Sequence, residues 1–314
     1  MSISSFWGAL RGRSVLSSAD LSVDETAMAL QAAMELKAER NLAPAPLHGQ
    51  CLALIFEKPS LRTRVTFETA FVQLGGHPIY LAPGDIGLGT RETVPDVARN
   101  LSRWVQGIVA RTFAHHTVEE LAQFGTIPVI NALSDREHPC QALADFQTIL
   151  ERAGSVRDFP IAWIGDGNNV CHSFLLTGAR LGAEIRVASP PGYTPDRAIV
   201  REAKADAAKN GGSITIMPDA FDAVRGAGAV YTDVWTSMGQ ETERDERLML
   251  FQGYQVNAEL MREARPDAFV LHCLPAHRGE EITAEVLDGP QSAVLDQAEN
   301  RLHAQKALLA MLMG

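Results

Sequence analysis

The sequence predicts an α/β protein of two doubly wound domains, each a parallel β-sheet flanked by helices, with a C-terminal helix packing back on the N-terminal domain. Three observations predict this. Short apolar runs alternate with longer amphipathic stretches along the whole chain, the pattern of parallel sheets covered on both faces by helices. With 314 residues, the chain is too long for one small core and suits two. The alternation also divides in two, one half running to about Asn131 and the other starting near Pro160.

In the first half the Ser22-Val23-Asp24-Glu25 segment matches a capping box and opens a helix. The runs Cys51–Phe56, Pro78–Leu81, Gly107–Ala110 and Pro128–Ile130 read as strands, and Thr117-Val118-Glu119-Glu120 as a second capping box. A helical stretch from Pro139 to Arg152 joins the halves and stops at Ala153-Gly154. The second half has strands at Ile161–Ile164, Glu184–Ala188, Ser213–Met217, Ala229–Thr232 and Ala268–His272. Thr194-Pro195 reads as an N-cap followed by proline at the first helical position. The last helix, Ala298 to Met313, has no strand after it and is free to pack on the first half. The expected divisions are 1–135, 136–297 and 298–314. Doubly wound domains bind ligands at the carboxyl ends of their strands, and two of them are expected to share a cleft.

Composition narrows the function classes. Hydrophobic residues are 46% and charged residues 21%, as in soluble globular proteins. The net charge is −10, with no basic run beyond isolated pairs, which argues against nucleic acid or an anionic membrane as the main partner. Four cysteines, with no C-x-x-C pair, read as reduced thiols. No stretch approaches the ~20 apolar residues of a membrane span, and Met1 to Ser18 lacks the apolar core of a secretory signal. The expected compartment is the cytoplasm.

Five segments place polar groups at strand ends. In Phe56-Glu57-Lys58-Pro59-Ser60-Leu61-Arg62-Thr63-Arg64 an apolar run stops at Pro59 and a helix begins after Ser60. A helix N-terminus has unpaired N–H groups and partial positive charge, so two guanidinium groups and two hydroxyls there make a phosphate site. Arg111 follows the third strand. His138-Pro139-Cys140-Gln141 sets a histidine at a helix start, with Gln141 turned to the same side; both can donate to a carbonyl oxygen that gains charge in acyl transfer. Gly165-Asp166-Gly167-Asn168-Asn169 lacks the third glycine of a dinucleotide fingerprint, and the next strand ends without an acidic residue, so amides aimed at an amino acid fit better. Finally, Asp233 follows one strand and Cys273 ends another, a carboxylate and a thiol able to meet a substrate ammonium. The histidines and cysteines lack metal-ligand spacing.

Together these segments resemble the aspartate/ornithine carbamoyltransferase family, and its ornithine branch in particular. The resemblance rests on FEKPSLRTR (Phe56–Arg64), HPCQ (His138–Gln141), GDGNN (Gly165–Asn169), DVWTSMGQE (Asp233–Glu241), FQGYQVN (Phe251–Asn257), HCLPAHRGEEI (His272–Ile282) and AENR (Ala298–Arg301), in the family's order. It implies that residues 1–135 bind carbamoyl phosphate, that 136–297 bind L-ornithine, and that the products are L-citrulline and phosphate. It further implies a homotrimer without metal or organic cofactor. Catalytic roles fall by this resemblance to Arg62, Arg111, His138, Asp233 and Cys273. Carbamoyl phosphate binding falls to Ser60, Leu61, Arg62, Thr63, Arg111, His138, Gln141, Cys273, Leu274 and Arg301. Ornithine binding falls to Asn169, Asp233, Ser237 and Met238, with the Ser237-Met238-Gly239 loop expected to close over the amino acid. Two departures stand out: Leu61 replaces a common threonine, and Gly87 stands where many ornithine enzymes have a donor-binding glutamine. The alternatives are a sister transferase for acetylornithine or putrescine, and a non-catalytic relative, which would have lost an arginine or histidine that this chain keeps.

Overall fold

The computed structural model describes residues 3–39, 45–237, 239 and 241–314. Two parallel sheets organise it. In the first, β1 (Cys51–Phe56), β2 (His77–Leu81), β3 (Gly107–Arg111) and β4 (Val129–Leu133) lie in the order β2-β1-β3-β4. In the second, β5 (Ile161–Ile164), β6 (Glu184–Ala188), β7 (Ser213–Met217), β8 (Ala229–Thr232) and β9 (Phe269–His272) lie in the order β7-β6-β5-β8-β9. The inner strands β1, β3, β5 and β8 are apolar and almost wholly buried, as strands with helices on both faces must be.

The chain forms two compact units, one up to Gln147 together with Glu299–Gly314, the other Thr148–Ala298. In the first, Ile55, Val97, Leu101, Ile108, Val118 and Leu121 share one apolar cluster. The C-terminal helix, Val294–Met313, runs into this unit and packs on its N-terminal segment. Gly8, Leu10 and Gly12 donate backbone N–H groups to the carbonyls of Ala310, Met311 and Leu312 at 2.9, 2.9 and 3.1 Å. The Ala310 carbonyl also accepts from the Gly314 N–H at 2.9 Å, and the N-terminal segment supplies donors to the carbonyls of the last helical turn, which run out of partners within a helix. In the second unit Trp163, Phe174 and Tyr231 pack with ring centroids 4.6 to 6.0 Å apart. Such ring pairs add about 0.5–1.5 kcal/mol each beyond their buried area.

Three expected helix starts move, the last helix beginning at Val294 and not at Ala298. The helix read at Thr117 begins at His115, whose N–H donates to Asp135 and whose ring meets Ser134, so neighbouring loops satisfy its first turn. The helix read at Thr194 begins at Arg197 and is capped by Asp196, whose carboxylate accepts from Ala198 and Ile199. An anionic acceptor is the stronger cap at a positive helix end. At Ser22 the capping box forms as expected. No described helix is long and apolar enough to cross a membrane.

Candidate active site

Sheet order sets where ligands bind. In the first sheet the chain starts at β1, then places β2 on one side and β3 on the other, so the switch point lies between β1 and β3. In the second it starts at β5 and reverses between β5 and β8. Beyond those strand ends lies a crevice in a doubly wound sheet. The sequence motifs occupy both crevices: Ser60–Arg64 follows β1, Arg111 ends β3, Gly165–Asn169 follows β5 and Asp233 follows β8.

In the first unit the Leu61–Gln73 helix is capped by Ser60, whose hydroxyl accepts from the Thr63 N–H at 3.3 Å. The cap leaves that hydroxyl's own hydrogen free to point outward. Leu61 is exposed. The two arginines of this turn diverge, which corrects the expectation that both serve the phosphate. Arg64 pairs with Glu68 at 2.9 Å and lies 3.6 Å over the Tyr80 ring. Its position one helical turn before Glu68 makes that pairing local.

Arg111 ends β3 and is buried. The β3–β4 register slips between Ala110 and Arg111, and irregularities of this kind re-aim a side chain. Lys58 is buried beside it, its ammonium 4.5 Å over the Phe113 ring, with its pKa pushed down by burial and then by Arg111.

His138 precedes the Pro139–Ala153 helix, and its carbonyl accepts from Gln141 and Ala142. Its ring is buried and held well below the usual histidine range, first by burial and then by the charges of Arg301, Arg111 and Arg62. The imidazole is therefore neutral, with one N–H to give. From the C-terminal helix Arg301 donates to Gln141 Oε1 at 2.6 Å and Thr63 Oγ1 at 3.2 Å. Gln141 Nε2 in turn donates to Asp145 at 2.7 Å. Ser60, Arg62, Thr63, Arg111, His138, Gln141 and Arg301 are thus tied to one crevice, by contacts or by shared field.

Gly87 has a physical reason for replacing glutamine. It sits in the left-handed region at φ 60°, and a Cβ there would come 2.8 Å from the Arg91 Cβ. A glutamine would strain this turn.

In the second unit Asp233 is buried at the β5/β8 switch point. It accepts from Asn168 Nδ2 at 2.8 Å and from the Cys273 thiol at 2.9 Å. The Asn168 carbonyl oxygen caps the Asn169–Leu181 helix through Val170 and Cys171. Asn168 therefore locks the carboxylate to the helix start, and Asn169 becomes the first helical residue. Leu274 has φ 58° and precedes a cis proline; its N–H donates to His272 Nδ1 at 2.8 Å. His272 Nε2 meets the buried Glu281 at 3.1 Å, and Glu281 also accepts the His277 N–H at 2.6 Å. Ser237, four residues after Asp233 in sequence, is half-buried, and the Met238 expectation lies outside the described residues.

Two described groups bring possible metal-ligand atoms within 4.8 Å, Asp233 with His272 and Cys273, and His277 with Glu280 and Glu281. In the first, both ring nitrogens of His272 and the thiol of Cys273 are engaged by protein partners. In the second, Glu280 pairs with Arg244. Sequence reasoning missed Asn168 as the partner of Asp233, although an asparagine before a helix is a capping signal. It also missed the pairing of Glu281 with His272, although both lie in the His272–Ile282 segment.

The chain matches two family descriptions: "Aspartate/ornithine carbamoyltransferase, carbamoyl-P binding domain" over residues 13–151, and its "Asp/Orn binding domain" over residues 157–312. It is 50% identical over 307 residues to an ornithine carbamoyltransferase of Thermococcus kodakarensis, covering 97% of this chain and 98% of that one. It is 50% identical over the same span to one from Pyrococcus furiosus described as anabolic, again 97% and 98%. A solved ornithine carbamoyltransferase from Pyrococcus furiosus superposes with a TM-score of 0.93 at 49% identity, covering 97% and 98%. The anabolic enzyme of Campylobacter jejuni gives 0.90 at 38% identity, covering 95% and 97%.

Proposed function

The chain belongs to the aspartate/ornithine carbamoyltransferase family, and on that premise we propose which of its side chains perform the family's reaction. The enzyme transfers the carbamoyl group of carbamoyl phosphate to the δ-amine of L-ornithine, giving L-citrulline and phosphate. The observation that carries the assignment is His138, buried and neutral among the charges of Arg62, Arg111 and Arg301. Such a site suits a doubly charged donor whose carbonyl oxygen gains charge during transfer.

Ser60, Leu61, Arg62 and Thr63 hold the phosphate end through the helix N-terminus and one guanidinium. Arg111, His138 and Gln141 hold the carbamoyl oxygen and amide, with Arg301 fixing Gln141 and Thr63. The amine of ornithine has a solution pKa near lysine's, about 10.4, and must be neutral to attack. The cationic surroundings and loss of water lower it, while Asp233 and Cys273 receive the ammonium and help remove its proton. Asn169, Ser237 and Met238 hold the α-amino and carboxylate groups, and Cys273 with Leu274 completes the carbamoyl end. Attack on the carbamoyl carbon gives a tetrahedral oxyanion held by Thr63, Arg111 and His138. Its collapse breaks the C–O bond and leaves phosphate at Ser60–Arg62, where its charge is matched. No step needs a metal or organic cofactor.

The proposed role is a biosynthetic step toward arginine in the cytoplasm, and four free thiols fit a reducing compartment. The proposed assembly is a homotrimer. Leu61, Val65 and Val72 are exposed along one helix of the first unit, an apolar face suited to a second copy. The test is product formation from carbamoyl phosphate with ornithine, acetylornithine or putrescine, beside a sizing column. Citrulline from ornithine at least a hundredfold faster than either other ureido product, at trimer mass, is expected. Preference for another amine would overturn the ornithine assignment, and a monomer would overturn the assembly.

A further inference from the structure

The buried ion pair Asp166–Arg247 belongs to none of the residues assigned above. Arg247 lies in the short Arg244–Leu250 helix and is buried. Its Nη1 donates to Asp166 Oδ2 and to the Trp235 carbonyl, each at 2.9 Å, and its Nε donates to Glu243 at 3.0 Å. The guanidinium also lies 4.7 Å from the centre of the Tyr193 ring.

These partners lie at the bases of the two segments proposed to hold ornithine. Asp166 sits between β5 and the Asn168–Asn169 helix start, and Trp235 sits between Asp233 and Ser237. The segments also lie close together: a Cβ added at Gly165 would come 3.6 Å from the Trp235 indole. Gly167 donates to the Tyr193 carbonyl at 2.8 Å, so the ring facing Arg247 is anchored to the same turn. Phe251 packs on both Tyr193 and Trp235, at 5.0 and 5.7 Å. One guanidinium thus fastens the turn after β5 to the segment after β8, with an aromatic floor beneath. Its fork can address a carboxylate and a carbonyl together, which a lysine ammonium does with less geometric control.

We infer that Arg247 is a positioning residue for the amino-acid substrate, acting as a clamp that fixes the Trp235–Ser237 segment against the Asp166–Asn169 turn. It touches no reacting atom; it sets where Asn169, Asp233 and Ser237 stand. This rests on the ornithine reading above. The charged groups facing Asp166 are Arg247, Asp233 and Glu243. Burial, the larger influence, outweighs Arg247 and pushes the Asp166 pKa up to about 6, so the clamp loses its charge pairing as pH falls through that value.

The test uses the full-length protein and the variants Arg247→Met, Arg247→Lys, Asp166→Asn and Glu243→Gln. Steady-state citrulline formation gives the KM for each substrate, and hydrogen exchange of the unliganded protein reports on residues 233–237. Arg247→Met is expected to raise the ornithine KM at least tenfold, keep the carbamoyl phosphate KM within twofold and speed exchange in that segment. Arg247→Lys should recover part of both effects. The parent's ornithine KM is expected to rise between pH 7 and 5.5, and Asp166→Asn, already raised at pH 7, should show a smaller rise over that range. Glu243→Gln, which alters one half-exposed contact, should raise the ornithine KM about twofold to fivefold. An unchanged ornithine KM, or an equal rise in both KM values, overturns the clamp. If Arg247→Met fails to fold, Asp166→Asn and Glu243→Gln decide by the same criteria. Failure of the parent to make citrulline would overturn the functional reading, while the exchange result still judges the clamp.

Discussion

Replacing Asp233 by asparagine removes one charge and almost no volume, at a carboxylate already aligned by Asn168 and Cys273. An ammonium about 4 Å from a carboxylate is attracted by about 4 kcal/mol at an effective dielectric constant of about 20. The asparagine oxygen still accepts a hydrogen bond worth about 1 kcal/mol. The expected loss is therefore about 3 kcal/mol, or about 150-fold in kcat/KM for ornithine. The assay varies ornithine at saturating carbamoyl phosphate and measures citrulline. Carbamoyl phosphate binding should hold within twofold, because its proposed contacts lie mainly in the other unit. A loss below threefold, or an equal loss in carbamoyl phosphate affinity, would refute the assignment of Asp233 to the amine.

Arg62→Ala should raise the KM for carbamoyl phosphate about 10- to 150-fold, since a hydrogen bond to a charged group contributes about 1.5–3 kcal/mol; an unchanged KM would count against the phosphate site. His138 predicts acid sensitivity. Its folded pKa lies below its unfolded value of about 6.5, so its contribution to stability is complete above that pH and is lost on acidification, as the unfolded chain takes the proton. Urea midpoints should fall from pH 7 to 5, and His138→Gln should flatten that slope, whereas an identical slope would contradict it. His303, lowered by burial and then by Lys306 and Lys37, adds in the same sense in both proteins. Gly167→Ala would put a Cβ 2.1 Å from the Pro195 backbone nitrogen. Overpacking of this kind costs about 1–3 kcal/mol, so calorimetry should show the melting point down by about 3–10 °C.

Much of the fold was legible because parallel strands are continuous apolar runs. β1, β5, β6, β7 and β8 fall where the sequence places them, end to end. β4 runs three residues further than expected, through Asn131. That buried amide looked like the end of a strand, but it donates to the Leu16 carbonyl and to Ser134 Oγ, one of them far away in sequence. The start read at Thr117 failed for a related reason, since a loop from elsewhere satisfies the first free N–H, whereas the start read at Thr194 lost to a stronger local cap, Asp196. At the site, the motifs named the residues lining each crevice but not how their side chains divide the work. Helical spacing alone sends Arg64 toward Glu68, which the bare motif does not announce. The pairs Asp166–Arg247 and Asn168–Asp233 join positions tens of residues apart, on segments that follow different strands. Only the folded sheet order brings them together.

The most direct test is a mass balance with carbamoyl phosphate and L-ornithine, scoring citrulline and inorganic phosphate in one reaction. Citrulline and phosphate should appear in equal amounts, with no citrulline when either substrate is omitted and no metal or cofactor added. Phosphate release without citrulline, or no turnover of the pair, would contradict the account.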